Sequence, residues 1–455
     1  MQIANIDKKE VRIIQYLGSK LQILDEIERE VECITPTNGI VCDLFAGSGV
    51  VSNRLSSKYT IYANDTQHYS ETLLRVLMNG IKKETIPEYE DIVNSRYYKN
   101  NYKKLIEIFS EPLKYESVAL KNDDYEMLRT LCELNLCYDG SLVTEEKKEQ
   151  AKEIYGDAFY EFNIENINKL RNEKNLYALF SLYYSMSYFS LQQCIEIDSM
   201  RAAIDGFFDN REIDCNNRDF LLACLLHGIS EIVSSVGKNF AQPIKVVDGK
   251  GNLKGFAIRR CMRDRKKKLK DSFIDIFDKI SVISERENNR VFCQDAYELL
   301  LSGKLKDVDT FYLDPPYTID HYSRFYHIPE TLVLYDYPEL EKKKIKGKYQ
   351  LLNGRYRNDR FQSEFCIPSA GKNALRNILC EISKMKGQVV LSYSEDDEDK
   401  QTRKRVISKE DILQIMNEYF SSVTVKNVEH RYRKLNMKNT NRKEMKNSEL
   451  LIVGR

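Results

Sequence analysis

Residues 308–317 read V-D-T-F-Y-L-D-P-P-Y, and this stretch decides the fold that we predict for the chain. Its first six residues are rich in β-branched and aromatic side chains and end at a proline pair. This pattern predicts a buried strand that stops at a tight loop. Asp314 then lies at the end of a strand, which is where open parallel α/β sheets bind their ligands.

The loop after this strand has the chemistry to hold a planar base. Pro315 and Pro316 have restricted φ angles and no backbone N–H, so the loop is stiff and its carbonyl groups are free to accept hydrogen bonds. Asp314 adds a carboxylate acceptor, and Tyr317 adds a flat ring for stacking. These groups suit a base with an exocyclic amine. The alternative is a strand-end cap followed by a proline turn.

A second strand and glycine loop indicate a nucleoside site. Residues 39–45 (G-I-V-C-D-L-F) predict a buried strand, and residues 46–49 (A-G-S-G) lead into a predicted helix. Glycines allow a ligand to approach the backbone, and the helix start offers free N–H groups. The next predicted strand, 59–63, runs into Asp65, about twenty positions after the loop, as a ribose-binding βαβ unit requires. The alternative is that Asp65 caps the following helix.

Residues 16–20 (Y-L-G-S-K) precede apolar residues at helical spacing. Ser19 can cap this helix, which leaves Lys20 at a helix N-terminus. A cation is disfavoured there by the helix dipole, which slightly favours a role facing a ligand. The alternative is a solvated lysine.

Composition excludes several classes of protein. The chain has 455 residues, of which 42% are hydrophobic and 31% charged, as in soluble globular proteins of two or three domains. We found no apolar run of membrane-spanning length and no signal peptide, so we expect a cytoplasmic protein without membrane contacts. Eleven cysteines without a CxxC pair and only 5 histidines indicate neither a metal site nor a disulfide framework.

Strand-like patterns are confined to the two ends of the chain. The middle is long, charged and tyrosine-rich, which predicts a mostly helical insertion into an α/β fold. We therefore expect a catalytic domain formed by residues 1–83 and 289–455, with 84–288 as the insertion. Within the C-terminal part, we expect residues 341–360 to form a mobile basic loop.

The formal net charge is only +1, but the insertion carries a dense basic cluster at 258–270. Such clusters are typical of phosphate contacts, and the alternative is a solvated helical face. The DNA-binding candidates are Arg259, Arg260, Arg263, Lys266 and Lys267.

Taken in order, these motifs resemble those of the Dam-like adenine-specific DNA methyltransferases, the alpha-ordered group. The pattern is Tyr16 to Lys20, then Asp43 to Gly49, then the insertion, and finally Asp314 to Tyr317. The long insertion and the segment Y-S-R-F-Y-H-I-P-E after the proline loop are more similar to methyltransferases of restriction–modification systems.

The resemblance implies a Rossmann-like sheet that binds S-adenosylmethionine and methylates the N6 amine of an adenine flipped out of double-stranded DNA, with the insertion recognising the target. A cognate restriction endonuclease is the implied partner. Asp314 and the Pro315 carbonyl would accept from the amine, Pro316 would stiffen the loop, and Tyr317 would stack on the base. The implied cofactor-binding residues are Tyr16, Lys20, Asp43, Phe45, Gly47, Gly49, Asp65, Asp295 and Asp314.

Two other functions remain open from the sequence. One is methylation of cytosine N4 or of an RNA base, although Asp rather than Ser before Pro-Pro-Tyr favours adenine. The other is a catalytically silent DNA-binding subunit, which the intact glycine and proline loops argue against. A fused nuclease finds no support, because the insertion contains no second catalytic cluster.

Overall fold

The computed structural model describes residues 11–16, 18–81, 86–133, 149, 152–154, 176–281, 283, 286–345, 347–394, 405–432 and 445–455. The chain divides into two compact units. The first comprises 1–81, 282–323 and 361–455, and the second comprises 82–281 and 324–360. The second unit therefore takes in the segment 324–360, which lies beyond the proline loop and which we had grouped with the C-terminal part of the catalytic domain.

The described strands are β1 Ile40–Asp43, β2 Thr60–Asp65, β3 Arg290–Cys293, β4 Thr310–Leu313, β5 Lys342–Ile345, β6 Lys348–Leu351, β7 Gln388–Ser394, β8 Val423–Tyr432 and β9 Met445–Gly454. The first unit is built on a seven-stranded sheet with strand order β3-β2-β1-β4-β7-β9-β8. The first five strands in this order are parallel, and β9 runs antiparallel to both of its neighbours. A separate two-stranded hairpin, β5–β6, belongs to the second unit.

The predicted α/β fold with a Rossmann-like sheet is confirmed. All four residues of β4 are buried, as expected for a central parallel strand. The helices assigned to this unit bury an apolar stripe, for example Leu24, Ile27 and Val31 in the first of them. They are Leu24–Glu32, Val50–Leu55, His68–Asn79, Ala296–Leu301, Gly371–Lys384 and Lys409–Tyr419, with short 3-10 helices at Lys20–Gln22 and Glu364–Cys366.

The strand order reverses between β1 and β4. The chain runs outward from β1 through β2 to β3 and then returns to the other side of β1 as β4. In an open α/β sheet, ligands bind in the crevice at the carboxyl ends of the two strands that flank such a reversal. Asp43 ends β1 and Asp314 directly follows β4, so both carboxylates lie at this point.

The described part of the second unit is largely helical. The tyrosine-rich run at 177–190 contains one short helix, Leu179–Tyr183. Its largest side chains, including Tyr183, Tyr184 and Tyr188, are buried core residues. The other helices are Tyr89–Asn94, Arg96–Ile108, Ser110–Lys121, Tyr125–Glu133, Leu191–Asp209, Cys215–Ile232, Gly255–Arg265, Leu269–Ile280 and His327–Leu334. The short helix Tyr322–Phe325 crosses the boundary between the units in sequence.

One local prediction was wrong in this unit. We expected a mobile loop within 341–360, but the chain forms the antiparallel hairpin β5–β6, in which Lys342 pairs with Leu351 and Ile345 with Lys348. The lysines at 342–344, 346 and 348 hid the strand pattern, because a lysine-rich hairpin carries little apolar periodicity.

Among the described residues, no helix is long and apolar enough to cross a membrane.

Candidate active site

The loop after β4 is fixed at both ends by backbone contacts within the first unit. Leu44 N–H donates to the Tyr312 carbonyl at 3.1 Å, which joins the ends of β1 and β4. On the far side of the loop, Val406 N–H donates to the Tyr317 carbonyl at 3.0 Å. Backbone hydrogen bonds therefore fix the chain on both sides of the loop that contains the two prolines.

Asp314 belongs to a buried cluster with Lys20 and Glu449. Lys20 Nζ lies 2.9 Å from Asp314 Oδ1 and 2.7 Å from Glu449 Oε1, and the side chains of Lys20 and Glu449 are 6% and 3% exposed. Ser392 Oγ donates to the same Glu449 oxygen at 2.8 Å. The ammonium group thus lies between two carboxylates at the carboxyl edge of the sheet.

The charges of this cluster show in its pKa values. Burial raises the pKa of Asp314 to about 6, although the neighbouring Lys20 ammonium opposes the rise. Burial alone would lower the pKa of Lys20, but the carboxylates of Asp314 and Glu449 raise it well above its usual range. At neutral pH, Lys20 is therefore a cation and Asp314 is mostly ionised.

Two cations lie close to the Tyr317 ring. The Arg405 guanidinium is 4.7 Å and Lys20 Nζ is 5.5 Å from the ring centroid. Tyr393 meets the ring edge-on with centroids 5.6 Å apart. Arg405 is itself anchored to Ser394 through the backbone carbonyl and Oγ, both at 2.9 Å. The orientation of the Tyr317 ring is thus set by packing.

The glycine loop after β1 makes two close approaches that exclude a side chain. Gly47 has φ +55°, and a Cβ there would lie 2.7 Å from the ring of Tyr16. Gly49 has φ +75°, and a Cβ there would lie 2.8 Å from Leu77. This loop leads directly into the helix Val50–Leu55.

Asp43 presents an unused buried acceptor. Its Oδ2 accepts from Ser52 Oγ at 2.6 Å, whereas its Oδ1 is buried and has no hydrogen-bond partner among the described residues. Burial raises the pKa of this carboxyl group to about 7. A buried carboxylate oxygen left in this state is suited to a positively charged ligand group.

The carboxylates of Asp65 and Asp295 both accept hydrogen bonds from nearby backbone N–H groups. Asp65 Oδ2 accepts from Gly47 N–H and its Oδ1 from Gln67 N–H, each at 3.0 Å. Asp65 therefore ties the end of β2 to the glycine loop as well as to the start of the next helix. Asp295 is the N-cap of the helix Ala296–Leu301, and its Oδ1 accepts from Tyr297 N–H at 2.9 Å.

Phe45 is half-buried and meets Phe365 edge-on at 5.4 Å between centroids.

Ser19, which we expected to cap a helix, makes no side-chain cap, because the first turn after it is the short 3-10 helix Lys20–Gln22.

Sequence reasoning missed Glu449, Ser392 and Arg405 as neighbours of the proline loop. Glu449 had one usable signal: it is a charged residue just before the apolar run L-L-I-V at 450–453, a pattern that predicts a strand only from Leu450 onward. Strand β9 in fact begins at Met445, so Glu449 is an internal strand position. Arg405 had no comparable signal.

The basic cluster of the second unit is unevenly exposed. Arg259 and Arg263 are exposed on the helix Gly255–Arg265, whereas Arg260 is half-buried and donates to the Ser235 carbonyl at 2.7 Å. Lys266 is exposed and pairs with Asp123 at 2.6 Å. Lys267 is half-buried and donates to the Glu231 carbonyl.

The sheet is mostly parallel, and its strand order reverses between the strand before the glycine loop and the strand before the Asp-Pro-Pro-Tyr loop. This arrangement is typical of the Rossmann-like methyltransferases. The sequence profile of the D12 class N6 adenine-specific DNA methyltransferases matches residues 16–201 and 254–443. This match covers most of the chain, and the chain belongs to that family. No solved structure matches the chain.

The names of curated relatives are consistent with this family. The modification methylase LlaI of Lactococcus lactis subsp. lactis is 24% identical over 329 residues, which are 72% of this chain and 39% of that protein. The modification methylase StsI of Streptococcus sanguinis is 23% identical over 430 residues, 94% of this chain and 50% of that protein. The type II methyltransferase M.NlaIII of Neisseria lactamica is 22% identical over 329 residues, 71% of this chain and 70% of that protein. The chain thus spans half or less of the length of the first two relatives.

Proposed function

We propose that this protein transfers a methyl group from S-adenosylmethionine to the N6 amine of adenine at specific sites in double-stranded DNA. One observation carries the proposal: Asp314 and Tyr317 lie at the reversal point of the sheet, next to the glycine loop, in a chain of the N6-adenine family. The names of the relatives favour a role in restriction–modification, with a cognate endonuclease as the partner.

The residues around the glycine loop fit the cofactor. The free Asp43 Oδ1 suits the ammonium group of the methionine moiety, and Gly47 and Gly49 leave room for backbone to approach the ligand. Asp65, anchored through Gly47 N–H, would face the ribose, and Asp295 would accept from the adenine amine of the cofactor. Tyr16 and Phe45 would line the site, and Lys20 would lie at the methionine end. When bound, the cofactor supplies an electrophilic methyl group on a sulfonium centre.

The chain itself would position the target base. An N6 amine stacked in a duplex is out of reach, so the adenine must be flipped out of the helix. Tyr317 would stack on the flipped base, a contact worth about 1–3 kcal/mol. Asp314 and the Pro315 carbonyl would accept the two N–H bonds of the amine and so aim its lone pair at the methyl carbon, with Pro316 keeping the loop rigid. Because reaction requires approach to about 3–3.5 Å, positioning supplies much of the rate.

The direct test is long-read sequencing of genomic DNA from a methylation-free bacterial host that expresses this chain. We expect N6-methyladenine at one sequence motif and at no other. If the motif carried N4-methylcytosine instead, the substrate base would be cytosine and not adenine. Unmodified DNA from a host that contains the folded protein would contradict DNA methylation.

We further propose that the second unit recognises the target and that only part of its basic cluster contacts phosphates. Phe256, Arg259 and Arg263 are spaced three and four residues apart on one helix and therefore share a face. Phe256 is 77% exposed, and the Arg263 side chain is 67% exposed although its guanidinium lies 3.4 Å from Asp264 Oδ1. Arg260 and Lys267 already donate to backbone carbonyls within the unit, and Lys266 has an acidic partner, so these three are less available to DNA.

The double substitution Arg259→Ala/Arg263→Ala should weaken DNA binding and flatten its salt dependence. Each lost phosphate contact lowers the slope of log Kobs against log salt by about 0.9, so we expect a decrease of about 1.8. Fluorescence anisotropy with a duplex, measured across a salt series, gives the slope.

The matched control is Lys103→Ala/Lys114→Ala. It removes the same charge from two exposed helix positions that pair with Glu107 and Glu111. Its salt slope should equal that of the wild type. Equal slopes for both double variants would refute the phosphate contacts of Arg259 and Arg263.

A further inference from the structure

We infer that Glu449 is a positioning residue for methyl transfer: it shares the Lys20 ammonium group with Asp314, so that this lysine orients the Asp314 carboxylate without fully neutralising it, and the carboxylate can still accept from the substrate amine. The inference rests on the proposed function, and it assigns a role to a residue that lies well outside the glycine and proline loops. Lys20 and Glu449 are 429 positions apart in the chain.

The geometry of the Asp314–Lys20–Glu449 cluster carries the inference. Lys20 Nζ donates a hydrogen bond to Glu449 Oε1 at 2.7 Å. It also lies 2.9 Å from Asp314 Oδ1, an ion-pair distance, so one ammonium group serves two carboxylates. An ammonium group has three N–H donors and can contact both acceptors at once, but its single positive charge is shared between them.

The sheet topology explains how Glu449 reaches this place. Strand β9 runs antiparallel to β7, so its early residues lie at the edge where the parallel strands end. Glu449 pairs with Ser394 near the end of β7, and Ser392 Oγ holds the Glu449 carboxylate at 2.8 Å. β7 in turn neighbours β4, the strand that leads into Asp314. Three adjacent strands therefore bring the two carboxylates to one lysine.

Two carboxylates around one ammonium group leave the cluster with a net negative charge. If Glu449 were absent, Lys20 would pair with Asp314 alone and would lower the pKa of Asp314. If Lys20 were absent, the two buried carboxylates would repel each other and Asp314 would hold its proton more tightly. The cluster thus sets both the charge and the orientation of the carboxylate that receives the amine.

Four other titratable or charged groups lie around Asp314. Burial raises the pKa values of Tyr312 on β4 and Tyr317 in the loop, and the Arg405 guanidinium lies 4.7 Å from the centroid of the Tyr317 ring. Asp43 ends the neighbouring strand, and burial raises its pKa to about 7. Saturation with cofactor separates the two acids, since Asp43 is proposed to act in cofactor binding.

The experiment compares the pH dependence of kcat/KM for duplex DNA, at saturating cofactor, in the wild type, Glu449→Gln and Lys20→Met. The wild-type rate should fall as the pH drops through about 6, because the pKa of Asp314 is raised to about 6 and only the ionised form accepts well. Glu449→Gln should move this acid limb to lower pH, since a negative charge is removed. Lys20→Met should move it to higher pH by about one unit or more, since the counter-charge is removed.

The matched control is Asp309→Asn, which removes a charge at the opposite end of β4 while its side-chain oxygen can still accept from Ile40 N–H, 2.8 Å away. Its acid limb should coincide with that of the wild type. Circular dichroism reports whether each variant is folded, because Lys20 is itself proposed to lie in the cofactor site.

Opposite shifts in Glu449→Gln and Lys20→Met support the inference. If folded variants lose rate equally at every pH, or shift in the same direction, Glu449 has only a structural role. A wild type without methylation activity contradicts the proposed function instead, so the two failures are distinguishable.

Discussion

Asp314→Ala should abolish methyl transfer and leave cofactor binding intact. The single-turnover rate should fall by about 10²–10³-fold or more, the range seen when one preorganised electrostatic contact to a reacting group is removed. The fold should survive, because Lys20 keeps its hydrogen bond to the buried Glu449 and the two charges still balance. Rapid-quench methylation assays and titration calorimetry with S-adenosylmethionine measure the two effects.

Asp309→Asn is again the matched control, because Asp309 begins the segment that Asp314 ends. Its hydrogen bond supports β1 at the edge of the sheet away from the glycine loop, so its transfer rate should match the wild type. Near-normal turnover by folded Asp314→Ala would remove this carboxylate from the reaction. Loss of cofactor binding in the same variant would show that Asp314 supports the cofactor site instead.

Gly47→Ala should weaken the binding of S-adenosylmethionine by at least about tenfold. The new Cβ would lie 2.7 Å from the Tyr16 ring, and φ is +55°, where a Cβ costs about 1–2 kcal/mol. The glycine loop and the Tyr16 ring must move apart, and both are proposed to line the cofactor. The dissociation constant from calorimetry, compared with that of the wild type, is the measurement.

Gly303→Ala separates backbone strain from the collision. Gly303 has φ +74°, but a Cβ there would approach only the flexible end of Lys306, at 3.4 Å. It should lower the free energy of unfolding slightly and leave cofactor affinity unchanged. In a Tyr16→Ala background, Gly47→Ala should cost less affinity than in the wild type, since the ring that it strikes is gone. Additive effects would mean that the collision is not the cause.

The local units of the catalytic fold could be predicted from the sequence because each is encoded within a few residues. The run of β-branched and aromatic residues ending at Pro315 predicted β4, and the glycine loop with the Val50 helix predicted the cofactor half. Asp65 shows the limit of such reasoning. Its carboxylate accepts from Gln67 N–H just before the next helix and from Gly47 N–H across the loop, a contact that no local pattern predicted, and its role at the ribose stays a prediction.

Long-range pairing decided the rest. Glu449 joins Lys20 and Asp314 only because β9 inserts antiparallel beside β7, and strand order is not written in the periodicity of any one strand. The basic cluster likewise divides into exposed and internally bonded members according to which carbonyl groups pack against its helix.

The sequence by itself determined the family of this chain and the parallel strands that lead to Asp43 and Asp314. It also determined the residue types of the glycine loop and the proline loop. It could do so because strand and loop propensities act over a few neighbouring residues. The tertiary structure alone decided which charges meet the Asp314 carboxylate. A buried charge takes its partner and its pKa from whatever the fold packs against it, and here that partner network arrives from the far end of the chain.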